Sequence, residues 1–273
     1  LFFALSGYLI GNQIFSFFFS ERGFSLPRFY ARRFLRTLPS FYAVLALYYL
    51  WPAFRGESTL LPLWKFLTFT QNINLTPGTA FSHAWSLCVE EQFYVLLPAV
   101  ALAIAACRRS QLWAWLAVAA SLIVGMLLRA YLWNEYVQVP RGGLGYYKYI
   151  YYASWCRFDE LVAGVALALL KNYHPIAWTR LTSYGNCALL AGIAGTALMF
   201  YVFLTDHYGY WVTVLGYPAL AASFILLLIA ALSPSSILYK VRVPGAASLA
   251  LWSYAIYLLH KQLCILLRPL LQD

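Results

Sequence analysis

Of the 273 residues, 63% are hydrophobic and only 10% charged, with a mean hydropathy of +0.68. That balance excludes a soluble globular domain or a disordered chain and requires an integral membrane protein, with the lipid bilayer as its first partner. Nineteen Lys and Arg against nine Asp and Glu leave a formal charge of +10. No basic recognition helix or aromatic single-strand motif accompanies the surplus, so nucleic acid is not an expected partner, and the charge is read as a topology signal.

Crossing about 30 Å of hydrocarbon takes about 20 apolar residues. Qualifying segments run at approximately 1–19, 34–52, 84–106, 112–133, 155–171, 184–205, 210–232 and 247–270. The expected fold is therefore all-α, a polytopic transmembrane helical bundle of about eight spans in one domain covering 1–273. The chain opens inside the first segment without an initiator Met or a signal-peptide n-region, and so reads as a fragment.

If the spans alternate, eleven basic residues, from Arg22, Arg28, Arg32, Arg33 and Arg36 through to Lys240 and Arg242, share one side. Four, Arg55, Lys65, Arg141 and Lys148, lie on the other. The asymmetry makes the first side cytoplasmic.

At the cytoplasmic end of the second span, Arg28, Arg32, Arg33 and Arg36 gather without a lysine among them. Arg33 and Arg36 are three apart, so on a helix they share a face and suit bidentate recognition of one phosphate. Topology alone also produces a basic helix end. The stretch 60–75 is broken by Pro62 and Lys65 and ends in a polar run, which suggests a re-entrant or interfacial piece.

The third span holds two adjacent acids, Glu90 and Glu91, with no further charge until Arg108. Intramembrane carboxylates are costly and usually functional. Helical spacing places His83, Ser86, Glu90 and Tyr94 on one stripe with Glu91 beside it. A histidine oriented by a carboxylate takes a proton from a hydroxyl; the competing reading is a hydrogen-bond network tying helices together. Arg129 in the fourth span is expected to snorkel toward its outer end.

The Tyr-rich loop 134–154 reads first as an interfacial aromatic belt and second as a platform for a sugar ring. In the fifth span Arg157 and Glu160 are one turn apart and expected to pair, leaving Asp159 on another face. The eighth carries Ser253, Tyr257, His260 and Cys264 at steps that share a face. His174 and His207 receive no role. The five cysteines show neither CxxC nor ligand spacing, so no disulfide framework, metal site or resident cofactor is expected.

Four pieces in order, FFALSGYLIG at 2–11, RRFLRTLP at 32–39, HAWSLCVEEQFYVLLP at 83–98 and SYAIYLLH at 253–260, resemble the acyltransferase-3 family of integral membrane acyltransferases. The resemblance covers essentially the whole chain. It implies transfer of an acyl group, commonly acetyl, from cytoplasmic acyl-CoA as co-substrate to a hydroxyl on an envelope carbohydrate, in a bacterial inner membrane. Arg33 and Arg36 match the family's donor-associated RxxR motif, and Glu90 and Glu91 its paired glutamates. Arg157 and Glu160 fall where the family keeps similar charges. Such proteins carry an earlier span with an arginine and a histidine proposed as the base; this chain starts after it and also stops near the family's ninth span. His83 is then the nearest substitute base, oriented by Glu90 or Glu91. The residues taken alone also fit a secondary transporter or flippase using Glu90, Glu91, Arg157 and Glu160 as an ion relay.

Overall fold

The computed structural model describes residues 1–18, 25–138 and 142–267. In chain order, α1 (Phe2–Phe18), α2 (Leu26–Leu50) and the short α3 (Pro52–Arg55) lead to α4 (Leu63–Leu67), α5 (Trp85–Ala105) and α6 (Ser110–Tyr136). Then come α7 (Gly142–Tyr146), α8 (Asp159–Tyr173), α9 (Pro175–Ser183), α10 (Gly185–Thr205), α11 (Tyr217–Leu232), α12 (Ile237–Lys240) and α13 (Ala246–Leu267). No strand occurs among the described residues. The chain forms the all-α membrane bundle that its composition calls for. Arg22 and Arg141, used in the charge count, lie outside the described residues.

Five helical stretches are long and apolar enough to cross a bilayer by themselves: Ser82–Ala105, Ser110–Tyr136, Gly185–Thr205, Val212–Leu232 and Ala246–Leu267. The other three expected spans are helices of a different kind. α1 has 17 residues, α8 has 15 and carries Asp159, Glu160 and Lys171, and α2 starts at Leu26 and so takes the arginine cluster into the helix. Pro27 in the first turn suits that start, because its missing N–H would be unpaired there in any case.

Burial differs sharply between helices of the two classes. α6 and α10, apolar over most of their surface, bury little against protein, whereas the short α1 and the charged α8 are mostly buried. α6 and α10 therefore meet lipid, while α1 and α8 are held inside. Gly7 and Gly11 of α1, four residues apart, and Gly164 of α8 make the inner contact possible. A methyl group on Gly7 would overlap the Leu161 carbonyl oxygen, and one on Gly164 the Ala4 carbonyl oxygen. Small residues at this spacing let membrane helices close to backbone contact.

α2 runs antiparallel to α5. The Tyr30 hydroxyl donates to the Val95 carbonyl at 2.9 Å, Arg33 meets Glu90, and Phe41 stacks on Phe81 with ring centroids 5.4 Å apart. The irregular chain between α4 and α5 enters the bundle, with φ positive at Phe69, Asn74 and Phe81. Its Gln71, Asn72 and Leu75 are buried. This inward-packed part fits the re-entrant reading of the broken stretch, while Leu63, Trp64, Leu67 and residues 76–78 remain exposed.

Candidate active site

Two polar clusters occupy successive parts of the third span. The first sits at its start, where Ser82–Ala84 forms a 3-10 turn ahead of α5. The His83 Nε2 lies 3.0 Å from the Leu258 carbonyl of α13. A carbonyl only accepts, so Nε2 carries the proton and the neutral ring's lone pair rests on Nδ1, which is buried without a partner. The Ser86 and Tyr257 hydroxyls are 2.6 Å apart, Tyr257 also donates to the His83 carbonyl, and the His260 ring centroid is 5.1 Å from that of His83.

The second cluster lies about 10 Å further along the helix. The Tyr94 hydroxyl donates to Glu90 Oε2 at 2.8 Å, and the Arg33 Nη2 stands 4.0 Å from the same oxygen. The Arg33 guanidinium lies over the Tyr94 ring, 3.5 Å from its centroid. Glu90 and Glu91 are each 3% exposed. Glu90 Oε1 and both Glu91 oxygens have no hydrogen-bond partner within the protein. One arginine thus faces two buried carboxyl groups whose open oxygens can accept from a hydroxyl donor.

This geometry alters three expectations. His83 is oriented by the Leu258 carbonyl and not by Glu90 or Glu91, because the stripe splits between α13 and α2. Within the arginine motif, Arg33 turns inward while Arg32 and Arg36 remain exposed, so Arg33 and Arg36 do not present one joint surface. On α13 it is Leu258 and Gln262 that are buried; Ser253 and Cys264 face outward, and the expected shared face reduces to Tyr257 with His260 at its edge.

A third polar region joins α6, α8 and α11. Arg157 and Glu160 pair as expected, at 3.5 Å, and Arg157 lies among Trp85, Tyr151 and Tyr217 with its Nε and Nη1 unpartnered. Arg129 does not snorkel. It is fully buried, paired with Asp159, and donates to the carbonyls of Cys156 at 2.9 Å and Val214 at 3.0 Å. Asp159 does face away from Arg157, and Arg129 is what it faces.

Sequence reasoning passed over the residues that fix the re-entrant segment. Gln92 donates to the Phe69 carbonyl at 2.7 Å and to Asn72 at 3.1 Å, and accepts from the Ser154 hydroxyl. Asn72 in turn donates to the Tyr152 carbonyl and to Ser154. The signal was present in the polar QN at 71–72 beside an apolar run. The tyrosine loop is likewise more than a belt: Tyr146 is fully buried against His207, Tyr208 and Tyr217. Burial first, then Tyr208, pushes the Tyr147 hydroxyl up to about 12, so it is uncharged at neutral pH.

The sequence model of the acyltransferase domain family matches residues 1–273. The chain is 25% identical over 301 aligned positions to the peptidoglycan O-acetyltransferase OatA of Listeria monocytogenes, covering 100% of this chain and 45% of that protein. It is 27% identical to the putative peptidoglycan O-acetyltransferase YrhL of Bacillus subtilis, over 98% of this chain and 44% of that protein, and 22% identical to the O-acetyltransferase OatA of Staphylococcus aureus, over 97% and 45%. The chain spans less than half the length of these curated relatives. No solved structure matches it. With a membrane bundle, buried paired glutamates and a family match over its whole length, the chain belongs to the acyltransferase-3 family of integral membrane acyltransferases.

Proposed function

We propose that this chain is the membrane domain of an O-acyltransferase that moves an acetyl group from cytoplasmic acyl-CoA to a hydroxyl of an envelope carbohydrate, in a bacterial inner membrane. The observation that carries the reading is on α5: buried carboxylate oxygens without partners beside an inward-turned Arg33, with a histidine whose lone pair is free about 10 Å further up the same span. The relatives named as peptidoglycan O-acetyltransferases support the same reaction class and point to a cell-wall glycan as acceptor.

The chemistry is direct transfer. The acceptor oxygen attacks the thioester carbonyl, a C–O bond forms as the C–S bond breaks, and CoA leaves as its thiolate. The hydroxyl proton passes to a base, for which His83 Nδ1 and the unpartnered Glu90 Oε1 are the available atoms. The Arg33 guanidinium supplies positive charge to the carbonyl oxygen as it becomes an oxyanion. Arg32 and Arg36, exposed at the same helix end, hold the CoA phosphates. Arg157 and Glu160 support the site from α8, and Ser86, Tyr257 and His260 hold His83 in place.

The test is CoA release from acetyl-CoA by membranes bearing the full-length protein, its Arg33→Ala and Glu90→Ala variants, and neither. Release by the wild type alone supports the reading. If no membrane releases CoA faster than the empty control while export of an envelope precursor depends on Glu90, the chain is a transporter with an intramembrane ion relay.

A further inference from the structure

A groove of about 860 Å³ lies between α2, the re-entrant segment, α5 and the stretch that enters α8. Its long walls are apolar, with Phe34 and Leu38 on α2 and Val95, Leu96 and Ala99 on α5. Phe34, Val95, Leu96 and Trp155 are 36%, 53%, 52% and 44% exposed, and in a membrane bundle such surface meets lipid. The groove therefore opens sideways on to the bilayer. At its other end, under the re-entrant segment, it reaches Glu91, Gln92 and Ser154.

The polar end has a definite chemistry. Gln92 and Ser154 are committed to each other and to the re-entrant segment, so their positions are fixed. Glu91 is less committed, with Arg33 and the Thr37 hydroxyl as its polar neighbours. It is 3% exposed and neither carboxylate oxygen has a partner. A carboxyl oxygen without a partner accepts hydrogen bonds, which a hydroxyl donates and the oxygens of a phosphate or carboxylate do not. The apolar walls, running about 12 Å from Glu91 to Ala99 at the helical rise, disfavour a bare sugar and favour a hydrocarbon chain. The volume lies in the range of pockets for whole organic ligands, about 300 to 1,000 Å³, and far exceeds an acetyl group.

We infer that this groove admits the acceptor from within the bilayer: a membrane amphiphile whose neutral, hydroxyl-bearing glycosyl head rests against Glu91 and whose hydrocarbon chain follows Val95, Leu96 and Ala99. The inference rests on the acyl-transfer reading for the fate of that hydroxyl, but not for its binding. The transferable hydroxyl enters laterally along α5, next to Glu90 and Arg33, and a soluble carbohydrate without a chain is the poorer acceptor.

The experiment uses the full-length protein in phosphatidylcholine vesicles and a dodecyl glucoside carrying a diazirine in its chain. Photolabelling is expected to saturate, to map to Val95, Leu96 and their neighbours, and to be displaced by unlabelled dodecyl glucoside. Ala99→Trp and Leu96→Trp, each recovered as monodisperse protein, are expected to cut it by about tenfold, since the introduced rings fill the chain's path. With acetyl-CoA, kcat/KM for dodecyl glucoside is expected to exceed that for methyl glucoside by about tenfold, a ratio that falls to about one in Ala99→Trp. Labelling that never saturates, or that marks the α10 flank equally, identifies surrounding lipid only and overturns the proposal. Displacement by phosphatidylglycerol as effective as by the glucoside overturns it too, because an anionic head contradicts the part given to Glu91. If labelling behaves as expected while no thioester is consumed with either acceptor, the acyl-transfer reading fails and the groove stands.

Discussion

Arg129 and Arg33 are both held inside a membrane bundle opposite a carboxylate, and their surroundings differ in every respect that matters. Arg129 is fully buried; Asp159 and the carbonyls of Cys156 and Val214 take its Nη hydrogens, and the three partners come from two other parts of the chain. Arg33 keeps 17% of its side chain exposed, stands 4.0 Å from Glu90, and faces carboxylate oxygens that nothing else satisfies. A buried ion pair tied by hydrogen bonds to separate parts of the chain fixes a fold even where, as at the Arg129 Nε, one donor is left over, whereas carboxylate oxygens left open beside a buried arginine cost stability and are retained where they have something to bind. The first is a brace between α6, α8 and α11, and the second is where chemistry is expected.

Substitutions that exchange these roles break the comparison. The largest effect is expected for Arg129→Ala, which strands Asp159 as an uncompensated buried charge at a cost of about 3 to 5 kcal/mol. Little monodisperse protein should then be recovered in mild detergent, and recovery at the wild-type level would remove the brace. Arg33→Lys keeps the charge but loses the planar contact with Tyr94, for an expected loss of about tenfold in acetyl transfer at unchanged yield. Smaller still is Tyr257→Phe. It deletes the contacts to Ser86 and the His83 carbonyl, worth about 1 kcal/mol, so a drop of about fivefold in kcat is expected with KM unchanged. A change in KM alone would place Tyr257 in binding instead.

Much of this was legible in the sequence because bilayer thickness fixes helix length and the cost of intramembrane charge singles out Glu90, Glu91, Arg157 and Glu160. The expected pairing of Arg157 with Glu160 is present, although Arg157 sits at the end of the Ser154–Cys156 turn ahead of α8 and reaches Glu160 across the helix start rather than along a helical turn. What sequence could not give was the partner across helices. Arg33 reaches Glu90 because α2 and α5 are antiparallel at a particular register, and Asp159 meets Arg129 across 30 residues of chain. The glycines of FFALSGYLIG read as part of a family motif, but their physical work depends on Gly164, which no local pattern links to Gly7. His83 is oriented by a backbone carbonyl of α13, and main-chain acceptors leave no mark in composition.

The difference between the two arginine sites is tested most directly by one paired measurement on the purified full-length protein, the thermal midpoint and the acetyl-CoA-dependent transfer rate of Glu90→Gln and Asp159→Asn. Glu90→Gln is expected to melt with the wild type and to lose about a hundredfold or more in rate, as removal of a proton-handling group does. Asp159→Asn is expected to melt several degrees lower, with the rate of the surviving folded fraction within a few-fold of wild type. The reverse pattern, a destabilised Glu90→Gln that still transfers acetyl and an Asp159→Asn that is stable and inactive, would contradict the assignment of brace and reaction site.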